Sequence, residues 1–172
     1  MKKTLLLLAM ASLFTMAAPA QEVLKEIEKT AKAIKNDTTK DLTTRRVASF
    51  KVDAITYLRQ KVTPSILTAL NSNPQDMKSY NENIKLLNEQ ALAMYEYVNL
   101  YIRRLDDSKK KNRAMVTYFF QQATVENSLF HDTDTEYVLS WFNRPDYLVP
   151  FSLDCNWKKA LAFMRNVDWS DK

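Results

Sequence analysis

The sequence predicts an all-α protein, an antiparallel bundle of about four main helices with two short aromatic-rich helices at its C-terminal end. None of its 172 residues is glycine, whereas average usage predicts about twelve. Apolar residues recur every three or four positions along most of the chain, which is the spacing of one helix face. Strand signals are poor, because hairpin turns such as Asn-Gly are missing and alternating apolar and polar runs are few. These observations favour helices joined by short capped turns.

The first twenty residues have the features of a cleavable secretory signal. Two lysines lie near its start, residues 5–16 are apolar, and small residues at 18–20 precede Gln21. The apolar run is shorter than the ~20 residues that span a bilayer, and no second run follows, so we expect no transmembrane anchor. Residues 21–172 are expected to form a single domain, exported to the periplasm or the exterior of a bacterium.

Charge and composition exclude several classes of function. Removal of the two lysines of the signal lowers the formal charge from +5 to +3, and the concentrated basic face of a nucleic-acid-binding module is not expected. We therefore expect no nucleic-acid partner. The absence of glycine excludes the usual forms of phosphate-binding loops, dinucleotide-binding turns and nucleophile elbows, because each needs glycine at fixed positions.

Two helices are expected in the first half of the mature chain. Apolar spacing predicts the first over residues 21–36, and the polar stretch 36–40 ends it. Pro64 leaves two alternatives for the second, which begins near Asp41: a new short helix starts with this proline at its first position, or one continuous helix is kinked there. The apolar face of the second helix consists of Val47, Phe50, Ala54, Leu58 and Val62.

The strongest pattern in the sequence is a heptad repeat over residues 77–105. It predicts a helix from Pro74 to Leu105, about 48 Å long at 1.5 Å per residue, packed at a shallow angle on its neighbours. Leu86, Tyr95 and Ile102 widen the stripe, which favours a bundle helix over an isolated two-stranded coiled coil. The repeat consists of Met77, Tyr80, Ile84, Leu87, Ala91, Met94, Val98, Tyr101 and Leu105.

Three further helices are expected after a turn at residues 106–108. The first of them runs over about 108–130. Residues 133–136 have the spacing of a capping box, so a short helix is expected to start near Asp134. The last helix is expected from residue 153 or 154 to 167, and both short helices are rich in aromatic residues.

His131 and Cys155 are the residues best suited to catalysis or metal binding. His131 is the only histidine and adjoins several acids, but acids also complement the dipole at the start of a helix. A zinc site usually recruits several His or Cys ligands, so we expect neither a metal nor a cofactor. Cys155 is expected to be a buried structural thiol, and the alternatives are an intermolecular disulfide or a nucleophile paired with His131.

A cluster of basic residues follows the predicted turn between the two longest helices. Its members fall in the opening turns of the next helix, where the helix dipole disfavours positive charge. One interpretation is a surface that binds anionic lipid headgroups or an acidic partner, so peripheral membrane contact is possible in principle. The alternative is that these residues lie at a solvated end of the bundle. The cluster consists of Lys109, Lys110, Lys111 and Arg113.

Aromatic residues are concentrated in the C-terminal third of the chain. Twelve of the 19 aromatic residues, including all three tryptophans, lie from Tyr118 to Trp169. Exposed Trp and Tyr combine a large contact area with a polar group, which suits them to bind peptides or glycans. The alternative is that bulky side chains close one end of the core. The candidate contact residues are Tyr137, Trp141, Tyr147 and Trp157.

The function expected from the sequence is non-enzymatic binding of an unidentified protein, peptide or glycan in the bacterial cell envelope, through this aromatic C-terminal surface. One alternative is a metal-independent hydrolase that uses paired carboxylates on helices. Another is a homo-oligomeric structural protein that assembles through the heptad helix over residues 77–105. The sequence nominates no catalytic residue.

Overall fold

The computed structural model describes residues 23–72, 77–109, 112–134, 137–138 and 151–169. None of these residues lies in a β-strand, so the predicted all-α class is confirmed for the described part of the chain. The predicted signal segment 1–20 lies outside it, as do Lys110, Lys111, Trp141 and Tyr147. In this part of the chain the helices are α1 over 23–36, α2 over Leu42–Ser72, α3 over Met77–Asp107, α4 over Arg113–Glu126 and α5 over Trp157–Asn166, and residues 137–138 are also helical.

Two aspartates hold the turn between α1 and α2. An oxygen of Asp37 accepts hydrogen bonds from the backbone N of Thr39 at 2.9 Å and from its Oγ1 at 2.6 Å. Asp41 accepts from the backbone N of Thr44 at 2.9 Å and from its Oγ1 at 2.6 Å. Asp41 thereby satisfies a backbone amide that has no partner within the first turn of α2. The boundaries predicted near residues 36 and 41 are confirmed.

Helix α2 continues through Pro64 to Ser72. The prediction of one continuous helix is therefore confirmed, and the alternative of a separate short helix that starts at Pro64 is wrong. Pro64 is exposed, whereas Val62 is buried and Ile66 packs against the core. Because core contacts are made on both sides of the proline, burial holds the helix together although proline removes one backbone donor.

Helix α3 contacts α2, α4 and α5. The middle of the predicted heptad stripe is buried, from Ile84 to Tyr101, whereas Met77 and Leu105 near the helix ends are only partly buried. Tyr95 does not widen the buried face as predicted, since it is 38% exposed. The buried face of α3 instead extends on the side opposite Tyr95, where Tyr97 is fully buried, because α3 has neighbours on more than one side. The stripe is thus covered by helices of its own chain.

The predicted boundaries of α4 and the predicted start of the last helix are wrong. Helix α4 begins at Arg113 and ends at Glu126, so residues 127–132 form a loop and not the last turns of a helix. In this loop His131 has a φ of 50°, in the left-handed region that non-glycine residues seldom adopt. The last helix begins at Trp157, later than predicted, and residues 151–155 before it are buried.

Candidate functional site

Trp157 lies in the core and not on an aromatic surface, which corrects the sequence-based expectation for this residue. Its side chain is 0% exposed. Its ring makes edge contacts with Tyr97, at 5.6 Å between centroids, and with Phe50, at 6.0 Å. The buried side-chain oxygen of Gln90 on α3 accepts a hydrogen bond from the backbone N of Trp157 at 2.7 Å. This contact between α3 and α5 turns the first residue of α5 towards the core, so Trp157 is not available to a partner.

Tyr137 is partly buried against helix α2. Its ring lies 6.2 Å from that of Tyr57, and its hydroxyl donates to Oε1 of Gln60 at 3.2 Å. Its backbone N donates to Oδ1 of Asp134 at 2.8 Å, so the predicted helix start near Asp134 is confirmed, with Asp134 as the cap. The two other predicted contact residues, Trp141 and Tyr147, lie outside the described part of the chain. The described contacts of Tyr137 tie it to the fold.

The carboxylate of Asp154 organises the loop after α4. One oxygen accepts from the backbone N of Leu129 at 3.0 Å and of Phe130 at 2.9 Å. The other accepts from Oγ of Ser128 at 2.6 Å and from the backbone N of Asp132 at 2.9 Å. Burial raises the pKa of Asp154, but the hydrogen bonds outweigh burial and leave this pKa below its ordinary value. The Asp154 carboxylate therefore stabilises the loop, because it accepts the hydrogen bonds that backbone carbonyls would accept from these amides in a helix.

Asp132 joins this loop to helix α2. Its Oδ2 accepts a hydrogen bond from the hydroxyl of Tyr57 at 2.8 Å and lies 2.5 Å from Nζ of Lys61. Burial and the hydrogen bond to Asp132 raise the pKa of the Tyr57 hydroxyl, which therefore stays protonated at neutral pH. The hydrogen bond from Lys61 lowers the pKa of Asp132. Asp132 thus has a partner in both Tyr57 and Lys61, while the neighbouring His131 is exposed.

Cys155 is a buried free thiol, as predicted. Burial raises the pKa of this thiol well above its ordinary value, and the charge of Asp154 adds to the effect. Both effects oppose formation of the thiolate that a nucleophile would need. Within the described segments, no group of three or more His, Cys, Asp or Glu residues is placed to hold a metal ion.

The basic cluster is described at two of its four members. Lys109 and Arg113 are exposed. Lys109 precedes α4 and does not lie in its opening turns as predicted, because α4 begins only at Arg113. The dipole of α4 therefore does not disfavour the charge of Lys109 in the way expected for a residue of the first turn. Lys110 and Lys111 lie outside the described residues.

A groove with a volume of about 440 Å³ lies between α1, the first half of α2 and α3, and we call it the Lys51 groove. Its volume is in the range of small-molecule binding sites, roughly 300–1,000 Å³. Six of the thirteen lining residues are aliphatic, and three are threonines on the α1 and α2 sides. The lining residues are Ile27, Thr30, Ala31 and Ile34 from α1, Thr43, Thr44, Val47, Ala48 and Lys51 from α2, and Tyr95, Asn99, Ile102 and Arg103 from α3.

Lys51 places an ammonium group in these apolar surroundings. Its Nζ donates to Oδ1 of Asn99 at 2.9 Å and lies 4.3 Å from the centroid of the Tyr95 ring, within range of a cation–π contact. Burial lowers the pKa of Lys51 to about 8, because an apolar environment disfavours the charged form. Among the described residues no carboxylate forms an ion pair with Lys51.

The Lys51 groove was not predicted from the sequence, although the sequence contains one signal for it. Lys51 lies four residues after Val47 and three before Ala54, so it interrupts the apolar face of α2 with a positive charge. A lysine at such a position has its stem among apolar side chains. The other walls could not be found in this way, because they come from α1 and α3.

Comparisons with protein-family models, curated protein sequences and solved structures find no match to this chain. Among the described helices, none combines the length and the apolar character needed to cross a bilayer.

Proposed function

We propose that this is a non-enzymatic binding protein of the bacterial cell envelope, and that it holds a small, largely apolar ligand in the Lys51 groove. Export to the periplasm or exterior is part of the proposal and is based on the N-terminal segment 1–20. An antiparallel arrangement of the helices is also part of it. The site differs from the aromatic surface expected from the sequence, because Trp157 belongs to the core.

The observation that carries the proposal is a groove of about 440 Å³ with aliphatic walls contributed by three helices. Apolar concavities with a few well-placed polar groups are typical of ligand sites. Ile27, Ile34 and Val47 would contact the body of the ligand, which removes apolar surface from water on both sides. By contrast, a hydrolase of the kind considered above needs two carboxylates in one cleft, and no carboxylate is among the described residues that line this groove.

The proposal is tested by titration of the full chain with 1-N-phenylnaphthylamine, a neutral apolar fluorophore whose emission rises when it leaves water. We expect saturable binding at one site per chain. A Thr30→Trp substitution should weaken it at least about tenfold, because Thr30 is an exposed lining residue of α1 and an indole there would occupy part of the groove. The size of the effect corresponds to about 1.4 kcal/mol of lost binding free energy.

The matched control is Thr68→Trp, which places the same side chain at an exposed position of α2 away from the groove. This variant should bind the fluorophore like the unmodified protein. Circular dichroism should show the same helicity for all three proteins. If Thr30→Trp binds the fluorophore as tightly as Thr68→Trp does, the groove is not the binding site and the proposal is wrong.

A further inference from the structure

The Lys51 groove is not purely apolar, because charged side chains are among its lining residues. Two cations, Lys51 and Arg103, line it, and no carboxylate is among the lining residues in the described part of the chain. Asn99 accepts one hydrogen bond from the Lys51 ammonium, which has three donors in all. Lys51 is half-buried, and a charge withdrawn from water is normally paired, so this ammonium is suited to receive an anion from outside the chain.

The contacts of Lys51 also fix where that anion would lie. Asn99 and the ring of Tyr95 hold Nζ on the α3 side of the groove, and Arg103 follows Asn99 by one helical turn on the same helix. The aliphatic lining residues lie mainly on α1 and α2. The groove thus presents positive charge on its α3 side, and aliphatic and threonine side chains on the facing walls.

We propose that the ligand of the Lys51 groove is a single-chain amphiphile with a singly charged anionic head, of which a fatty-acid carboxylate is the simplest form. This inference rests on the proposed function, because it assumes that the groove holds a small ligand. The alkyl chain packs against α1 and α2. The head accepts a hydrogen bond from Lys51 Nζ, in addition to the bond that Asn99 receives, and Arg103 adds positive charge beside it.

Because Lys51 titrates between pH 7 and pH 9, the affinity for an anionic ligand should depend on pH in this range. Burial lowers the pKa of Lys51 to about 8, so its charged fraction falls from about 90% at pH 7 to about 10% at pH 9. The other charged or titratable lining residues are Arg103 and Tyr95, both from α3, since the lining residues of α1 are all uncharged. Affinity for an anionic head should therefore fall about tenfold between these pH values, whereas affinity for a neutral head should not change.

The test measures dissociation constants of decanoate and of decanol by calorimetry, with the full chain and two variants. Decanoate should bind the unmodified protein about ten to a hundred times more tightly than decanol, as expected for a charge-assisted hydrogen bond. In Lys51→Met this preference should disappear along with its pH dependence, while decanol binding persists and reports an intact groove. Lys25→Met is the matched control, because Lys25 is an exposed residue of α1 that does not line the groove.

Two outcomes would overturn the inference while the proposed function stands. One is equal binding of decanoate and decanol by the unmodified protein, with both weakened by Thr30→Trp. The other is a preference for decanoate that survives in Lys51→Met, which would place the anion elsewhere. Failure of decanol, decanoate and the neutral fluorophore alike to bind would instead refute the proposed function itself.

Discussion

Replacement of Asp154 by asparagine should strongly destabilise the protein. The two side chains have nearly the same shape, so the substitution removes a charge and one acceptor without leaving a cavity. Asp154 is 5% exposed, and each of its two carboxylate oxygens accepts two hydrogen bonds from residues 128–132. Asparagine has one acceptor oxygen, so two of the four donors lose their partner.

The magnitude follows from these four contacts. A hydrogen bond to a charged group contributes about 1.5–3 kcal/mol, and a buried donor left without a partner costs a similar amount. The loss of two such bonds should therefore lower the free energy of unfolding by about 3–6 kcal/mol. This is a large part of the roughly 5–15 kcal/mol that stabilises a typical domain, so the variant should be partly unfolded at physiological temperature if the parent is of ordinary stability.

The assay is urea unfolding at pH 7 and 25 °C, followed by circular dichroism at 222 nm. Asp154→Asn should lower the midpoint while leaving the dependence on urea unchanged. Asp134→Asn is the matched control, because Asp134 is an exposed cap that accepts from the backbone N of Tyr137. Asparagine caps helices about as well as aspartate does, so its cost should be below about 0.5 kcal/mol. If Asp154→Asn costs no more than this control, the loop does not depend on the buried carboxylate.

Three further results are expected. Because the pKa of Asp154 is lowered in the fold from an ordinary value of 3.8, the unfolded chain binds more protons just below that pH. Stability should therefore fall as the pH drops through this range in an acid titration, and an equally steep loss in Asp154→Asn would contradict the assignment. Pro64→Ala should raise the free energy of unfolding, measured by thermal unfolding, by about 1–3 kcal/mol, since alanine restores a backbone donor within α2. The neighbouring Ser65→Ala is the control and should change it by less than about 0.5 kcal/mol. A loss of stability in Pro64→Ala would show that the proline is favourable at this position. A thiol reagent at neutral pH should modify Cys155 only after denaturant is added, because the thiol is buried and its pKa is raised; rapid labelling of the native protein would contradict this.

Local signals predicted the first half of the chain well. The turn before α2 depends on Asp37 and Asp41, whose partners lie two and three residues away. The length of α3 was nearly correct, because its apolar periodicity is continuous over four heptads. Such features depend on neighbours within about one turn, and sequence spacing reports them directly.

Contacts between distant residues explain where prediction failed. The end of α4 was placed at Phe130, but the amides of Leu129 and Phe130 find their acceptor in Asp154, more than twenty residues later in the chain. A helix and such a loop satisfy the backbone equally well. Spacing within the segment could not distinguish them.

The aromatic residues and Lys51 show the same limit for the candidate site. Composition could not tell whether Trp157 closes the core or faces a partner, since an aromatic side chain suits both tasks. Burial by Phe50 and Tyr97, from two other helices, decided the question. In the sequence Lys51 is only a charged residue on the apolar face of α2, and its partners Asn99 and Tyr95 lie more than forty residues away.

The sequence by itself determined the all-α class, most of the helices and the position of the first turn, because hydrogen bonding and amphipathic spacing within a helix are local. Only the tertiary structure decided that Trp157 is core, that Asp154 ends α4, and that three helices enclose a groove with a cation on one side. A binding site of this kind is made of side chains that are distant in the sequence. Their proximity is set by helix packing, which buries apolar surface without regard to distance along the chain.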